Sequence, residues 1–206
     1  MKIISVWGKK GGIGKTTLCL ALASALKARG YKVIVYDADP QLSAYNIAQS
    51  GSLDFDVIRK GDDEQLHIRP DITLVDLPSG NVDVNLNNSH LILAPCKPSQ
   101  IDMAYLNHVL ENEEANLDKP VMPLFNEWLP NREEQNKCIQ EYETWARVKS
   151  RSIFERLNAT GESLFGETAS SWAGHKDARA DLDKVADEVL ERLELPKVKE
   201  KSKALA

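Results

Sequence analysis

Residues 10–17 read Lys-Gly-Gly-Ile-Gly-Lys-Thr-Thr, and this stretch decides the fold. It follows a short apolar run, Ile3–Trp7, and leads into Thr16–Arg29, where apolar residues recur at helical spacing up to Gly30. A glycine-rich loop between a strand and a helix is the context of a phosphate-binding loop. The glycines let backbone N–H groups surround an anion, and the helix adds its positive end. This context disfavours the alternative, a glycine-rich turn without a ligand.

The loop also carries the side chains that a nucleotide site needs. Lys15 can reach β- and γ-phosphates, and the Thr16 hydroxyl can bind Mg²⁺. The strict pattern G-x-x-x-x-G-K-[ST] is not met, because its first glycine would fall on Lys9, and a second lysine stands inside the loop. The predicted nucleotide-binding residues of the loop are Lys10, Gly11, Gly12, Ile13, Gly14, Lys15, Thr16 and Thr17.

Further strands and helices alternate along the chain. Short apolar runs predict strands at Lys32–Tyr36, Ile72–Val75 and Leu91–Ala94, and a weaker one at Val121–Phe125, which contains Pro123. Helical spacing over Asp177–Leu195 predicts a helix that ends at Pro196. Short, wholly apolar strands separated by helices predict an α/β fold of the P-loop NTPase type, with a mostly parallel sheet covered on both faces. Residues 126–176 give no clear pattern.

Three aspartates follow two of these strands. Asp37 and Asp39 come after Lys32–Tyr36, and Asp76 ends the strand that begins at Ile72. Carboxylates at the carboxyl ends of parallel strands point into the crevice where ligands bind, and a Walker B acid would hold the water shell of Mg²⁺. For any one aspartate, a turn or a helix cap is the alternative interpretation.

Length and composition limit the class of protein. The 206 residues suggest one domain, 1–195, followed by a lysine-rich tail, 196–206, expected to be disordered. No apolar run is long enough for a transmembrane helix. Three widely spaced cysteines favour a reducing cytoplasm. The net charge of −5 argues against a wholly nucleic-acid-binding surface, but it allows a local basic patch.

One such patch lies near the middle of the chain. Residues 107–143 are strongly acidic, and the sign then reverses over 144–156. The candidate DNA-binding residues there are Arg147, Lys149, Arg151 and Arg156. They could neutralise DNA phosphates without regard to sequence, and a solvated helix face is the alternative. The tryptophans show no alternation with basic residues of the kind found in single-strand-binding proteins.

Four segments in order resemble the motifs of the ParA family of deviant Walker A partition ATPases, most closely the small plasmid (ParF-like) type. They are KKGGIGKTT (9–17), VIVYDADPQ (33–41), TLVDLPS (73–79) and LILAPCKPSQID (91–102). A weaker likeness covers 158–164. The resemblance implies an Mg²⁺-dependent ATPase, with ATP and Mg²⁺ bound in the loop.

The resemblance also implies roles for single residues. Two subunits would close around two nucleotides, with Lys10 reaching the partner's phosphates and Lys15 holding phosphates of its own subunit. Asp39 would position the attacking water. The remaining implied roles are metal binding by Thr16 and Asp76 with Asp37 in support, α-phosphate contact by Thr17, nucleotide and dimer contacts by Pro98 and Asp102, and base contact by Asn126, for which a turn residue is an equal alternative.

The expected function is ATP-driven DNA segregation in the cytoplasm. The ATP-bound homodimer would bind DNA non-specifically and associate with the nucleoid, and a ParB-like centromere-binding partner would stimulate it. One alternative is a ParA-like ATPase that positions a protein cargo such as a carboxysome or chemoreceptor cluster. A MinD-like membrane ATPase needs an apolar amphipathic C-terminal helix, and an iron-protein-like electron carrier needs paired cysteines; the sequence favours neither.

Overall fold

A seven-stranded sheet forms the centre of the protein in a computed structural model, which describes residues 1–62, 69–80, 86–117 and 119–198. The strand order is β3-β2-β4-β1-β5-β6-β7, and every neighbouring pair is parallel. The α/β prediction is therefore confirmed. In chain order the elements are β1 (Lys2–Val6), α1 (Lys15–Ala28), β2 (Val33–Asp37), α2 (Ser43–Gln49), β3 (Asp56–Arg59), β4 (Ile72–Asp76), β5 (Leu91–Cys96), α3 (Gln100–Leu117), β6 (Val121–Trp128), α4 (Glu133–Glu141), β7 (Ala146–Lys149), α5 (Ser152–Thr160) and α6 (His175–Arg192), with short 3₁₀ turns at Leu86–Asn88 and Thr168–Ser171.

Helices cover both faces of the sheet, which explains why the central strands are apolar throughout. In β5, Leu91 and Leu93 face a cluster built with α1, α5 and α6, whereas Ile92 packs into a second cluster with α3 and α4. Successive residues of a strand point to opposite faces, so burial on both faces requires apolar residues at every position. Helix α1 lies deepest, and all its residues from Leu18 to Leu26 are buried.

The strand register brings the candidate site residues together at the carboxyl ends of the central strands. Val6, at the end of β1, is paired with Asp76 of β4, and Asp76 is paired in turn with Asp37 of β2. The chain leaves β1 for one half of the sheet and returns to the other half through β5. Such a switch point opens a crevice beyond the carboxyl ends of the strands, where ligands of open α/β sheets bind.

Several elements differ from their sequence-based expectations. The weak fifth strand is β6, which runs eight residues to Trp128. Its Pro123 costs little because pairing with β7 begins only at Leu124. The final helix begins earlier than predicted, at His175, and ends at Arg192.

The C-terminal tail was predicted to be disordered over 196–206. Of these residues the structure describes only 196–198, and the lysines at 199, 201 and 203 lie outside the described residues. Tyr31 donates a hydrogen bond to the carbonyl of Pro196, so the described start of the tail contacts the domain. Among the described residues, no helix is long and apolar enough to span a bilayer.

Candidate nucleotide-binding site

The loop between β1 and α1 has the backbone of an anion site. Gly12 and Gly14 both have left-handed backbone angles, with φ of 71° and 75°. Gly14 is the N-cap of α1, and no side chain caps the helix start. Because the first amides of a helix need partners from outside it, this helix start can donate to a phosphate. Asn126 braces the loop by donating its Nδ2–H to the Ile13 carbonyl at 2.9 Å.

Lys15 is buried at the base of the loop. Its Nζ donates to the Ser79 hydroxyl at 2.6 Å, and that hydroxyl lies 3.5 Å from the carbonyl of Lys10. Burial lowers the pKa of Lys15, while the nearby Asp76 and Asp39 act in the opposite direction. A buried ammonium with a single neutral partner can exchange that partner for phosphate oxygens, which restore the electrostatic compensation that burial removed.

Thr16 and Asp76 form the candidate Mg²⁺ site. The Thr16 hydroxyl donates to Oδ2 of Asp76 at 2.6 Å. The other oxygen of Asp76 is buried and has no hydrogen-bond partner among the described residues, and burial raises the pKa of this carboxyl to about 7. A buried carboxyl oxygen without a partner fits a site that a cation or its bound water fills. Among the described residues no three acidic, histidine or cysteine side chains cluster around a metal position, and Mg²⁺ bound mainly by phosphates and water needs no such cluster.

Asp37 and Asp39 shape the loop after β2. Asp37 accepts hydrogen bonds from the backbone N–H groups of Asp39 and Tyr45, at 3.1 and 2.9 Å. Both its oxygens are thus engaged in holding the loop against the start of α2, and burial raises its pKa. Its expected support of the metal shell stays a prediction. Asp39 is half-buried and accepts from the N–H of Gln41 at 2.9 Å, which leaves its other oxygen available to a water.

An open pocket of about 630 Å³ continues from the loop toward the C-terminal half. Its wall includes Gly14 and Asn126 from one side and Asn158 of α5 from the other. Asn158 donates to the Thr17 hydroxyl at 2.8 Å. The side-chain amides of Asn126 and Asn158 offer both donors and acceptors, which can contact a base or ribose. Asn126 therefore both braces the loop and lines the pocket, and its contact with a base stays a prediction.

The Lys10 ammonium pairs with Asp102 near the start of α3. Ser99 fixes this carboxylate, because its hydroxyl donates to Asp102 Oδ2 at 2.7 Å. Pro98 is buried one residue before that serine and lines a separate open groove toward α4. The predicted contact loop thus touches the signature lysine within the same chain.

The four basic residues predicted to bind DNA make different contacts in the structure. Arg147 and Lys149 lie over the Trp128 ring, and Arg156 lies over the Trp172 ring. Arg151 pairs with Asp181 at 2.5 Å, and its side chain is only 14% exposed. Basic and aromatic side chains do meet here, contrary to the expectation from sequence order, because pairing of β6 with β7 brings Trp128 beside residues about twenty positions away.

Comparison with known proteins decides the family. The family model of the CobQ/CobB/MinD/ParA nucleotide-binding domain matches residues 4–166. The chain belongs to this family. Its members of the ParA and MinD type are P-loop ATPases, so the prediction of a ParA-family ATPase is confirmed.

The chain is similar to several named proteins and solved structures. The chain is 27% identical to the maintenance of carboxysome distribution protein A of Gloeobacter kilaueensis, over 91% of this chain and 94% of that protein. The chromosome partitioning protein ParA of Caulobacter vibrioides is 44% identical over 41 residues, which are 20% of this chain and 15% of that protein. Among solved structures, a plasmid partition protein of Borrelia burgdorferi bound to AMPPNP has a TM-score of 0.67 at 17% identity, covering 93% of this chain and 99% of that one. At such identity the likeness shows the fold.

Sequence reasoning missed two side chains of this family site. Ser79 holds Lys15, although the motif 73–79 was recognised without a role for its last residue. Asn158 was only part of a weak likeness, yet it faces Thr17 across the pocket. Both contacts join residues far apart in sequence, so spacing carried no signal for them.

Proposed function

We propose that this chain is an Mg²⁺-dependent ATPase that segregates DNA and whose ATP-bound homodimer binds DNA non-specifically. The observation that carries the proposal is the group formed by Lys15, Thr16 and the unpartnered oxygen of Asp76 at an uncapped helix start. This group offers a cation, a metal-binding hydroxyl and a carboxylate to one triphosphate.

Hydrolysis would proceed by positioning and charge compensation. Backbone N–H groups of 11–16 and Lys15 would hold the β- and γ-phosphates, while Thr16 and Asp76 would hold Mg²⁺. The ion would neutralise charge on the phosphate oxygens during transfer. Asp39 positions a water for attack on the γ-phosphate. Lys10 of the partner subunit would then offset the charge that develops in the transition state.

The proposal places DNA binding on the basic segment near β7. Arg147, Lys149 and Arg156 keep side chains at the surface over indole rings, and a dimer would double their number. Such contacts are independent of sequence and weaken with salt. Arg151, held by Asp181, would contribute less. Association with the nucleoid and stimulation by a ParB-like partner belong to the same proposal.

Loss of nucleotide binding in a Lys15→Ala variant tests the phosphate site. We expect Mg²⁺–ATP affinity, measured by calorimetry, to disappear in this variant and to be unchanged in Lys27→Ala, which alters a lysine in the last turn of α1. Retention on DNA should require ATP and be lost with ADP. Unchanged affinity in Lys15→Ala would refute the site, and equal retention with both nucleotides would refute ATP-dependent DNA binding.

Positioning of a protein cargo is the second candidate, favoured by the relative in carboxysome distribution, which the chain matches along nearly its full length. A plasmid-stability assay separates the two. If the chain partitions DNA, its deletion from the replicon that encodes it should make that replicon unstable, and re-expression of the chain should restore stable inheritance. The second candidate would be favoured by a different result. Loss of the chain would then leave inheritance of the replicon unchanged, while a protein assembly in the same cells would become clustered.

A further inference from the structure

A groove between the last strand and the last helix brings indole rings and cations together. It is open to solvent, has a volume of about 1060 Å³ and lies between the end of β6, β7 and one face of α6. Two tryptophans, Trp128 and Trp145, and three cations, Arg147, Lys149 and Lys184, line it. We propose that this groove binds single-stranded nucleic acid, with bases stacked on the indole rings and phosphates paired with the cations.

The acidic residues that line the groove already have basic partners. Asp181 pairs with Arg151 at 2.5 Å, and both side chains are 14% exposed. Glu188 pairs with Arg192 at 2.8 Å on α6. Each carboxylate is therefore balanced by an arginine, and neither takes up the charge of the groove's own cations.

Those three cations have no carboxylate partner among the described residues. Arg147 and Lys149 lie over the ring of Trp128, with Cζ at 5.9 Å and Nζ at 5.1 Å from its centroid. Lys184 is exposed on α6. Since a cation–π contact near the surface is weak, a phosphate can draw the cation away and leave the ring to a base. The groove thus offers three positive charges to an anionic chain.

Both indole rings are held in place and remain partly exposed. Trp128 donates its Nε1–H to Oδ1 of Asn136 at 2.9 Å, and Trp145 packs against the rings of Phe125 and Tyr142, with centroids 5.3 and 4.6 Å away. Single strands present the faces of their bases to such rings, whereas the bases of a duplex are stacked on one another. An acidic peptide would use only the cations, so the pairing of rings with cations favours a nucleic acid strand.

This inference goes beyond the proposed function, because the groove lies within one chain. The described residues that line it include none of 10–17, so binding should need neither ATP nor a dimer. Two of its cations also belong to the proposed DNA contact, whereas Trp128 and Lys184 belong to the groove alone. Arg156 belongs to the proposed DNA contact alone, since it lies over Trp172 outside the groove.

The test is fluorescence anisotropy of a labelled oligothymidylate of about twelve nucleotides with the nucleotide-free chain at low salt. Trp128→Leu should weaken binding about tenfold, whereas Trp128→Phe, which keeps an aromatic ring, should stay within about twofold of the unaltered chain. Lys184→Gln should reduce the slope of log affinity against log salt by about 0.7, the value for one phosphate contact of a single strand. Arg156→Gln is the matched control and should change neither quantity.

Three results would overturn the proposal: no binding of the oligothymidylate, equal affinity of Trp128→Leu and the unaltered chain, or tighter binding of polyglutamate of equal charge. The last result would indicate an acidic protein partner instead. Photocrosslinking decides the question if Trp128→Leu does not fold. An oligothymidylate that carries 5-iodouracil should crosslink to peptides containing Trp128 or Trp145, and crosslinks confined to other peptides would contradict the site. ATP-dependent retention on duplex DNA tests the proposed function separately, so either can fail without the other.

Discussion

Replacing Gly14 by alanine should destabilise the nucleotide-free chain by about 3 kcal/mol, and replacing Gly12 should cost about 1 kcal/mol. Both glycines have positive φ, so both variants carry the same left-handed strain, about 1 kcal/mol. The two positions differ in the room that they leave for an added Cβ atom. A Cβ at Gly12 would have no neighbour within 4 Å, whereas a Cβ at Gly14 would lie 2.6 Å from Nδ2 of Asn126 and 3.0 Å from a carboxylate oxygen of Glu127.

The added Cβ at Gly14 would displace the side chain of Asn126, which makes a buried hydrogen bond. Asn126 is 6% exposed, and displacing it removes its donation to the Ile13 carbonyl and leaves polar groups unsatisfied, at a cost of about 2 kcal/mol. Any effect of alanine on the unfolded chain is shared by the two variants and cancels in their difference.

Urea unfolding without nucleotide measures this difference. In an Asn126→Ala background, where the clashing amide is gone, Gly14→Ala should cost about as much as Gly12→Ala, and the double-mutant cycle should show about 2 kcal/mol of coupling. Equal costs for the two glycine variants in the unaltered background would refute the reasoning.

Other predictions concern ATP hydrolysis, the Cys96 thiol, the proposed dimer contact at Ile101 and the proposed DNA contact near β7. Asp39→Ala should still bind ATP but release no phosphate in a phosphate-release assay, and normal turnover would contradict its role. The Cys96 thiol, whose pKa burial raises to about 12, should not react with DTNB at pH 8 until guanidinium unfolds the chain, and fast labelling of the folded chain would contradict its burial. Ile101 is 79% exposed beside the predicted dimer contact Asp102, so Ile101→Ser should weaken AMPPNP-induced dimers without lowering the melting temperature; undiminished dimers would exclude this contact. Arg147→Ala should reduce the salt dependence of DNA binding by about one unit, whereas Arg151→Ala should chiefly lower stability by leaving Asp181 unpaired; the reverse result would place the DNA contact at Arg151.

The parts of the fold that sequence predicts are those in which local pattern and burial agree. β5 is apolar at every position because both its faces are covered, and α1 stops at a glycine, so both are visible in sequence. By contrast, β7 has four residues, of which only Val148 is buried, and it lies at the edge of the sheet. Helix α3 is absent from the sequence-based expectations. Its apolar residues Met103 and Leu106 pack in the core, but they are few among polar and charged residues and form no clear helical pattern.

The candidate site also has a part that the sequence predicts and a part that it does not. Residues 10–17 are contiguous, and loop chemistry alone assigns Lys15 and Thr16. The contacts that complete the site join distant residues, as in Lys15 with Ser79, or Thr17 with Asn158. No spacing rule connects such positions, since strand order and helix packing bring them together.

In the proposed function, one chain binds the nucleotide and a second chain completes the site. Lys15, Thr16 and Asp76 meet within one subunit, because the ends of β1 and β4 are neighbours in the sheet. Lys10 lies in the same loop, yet it is directed to Asp102 on the far side of that loop. Under the proposed function, nucleotide binding would need only the single chain, whereas the full charge compensation for fast hydrolysis would need Lys10 of a second chain.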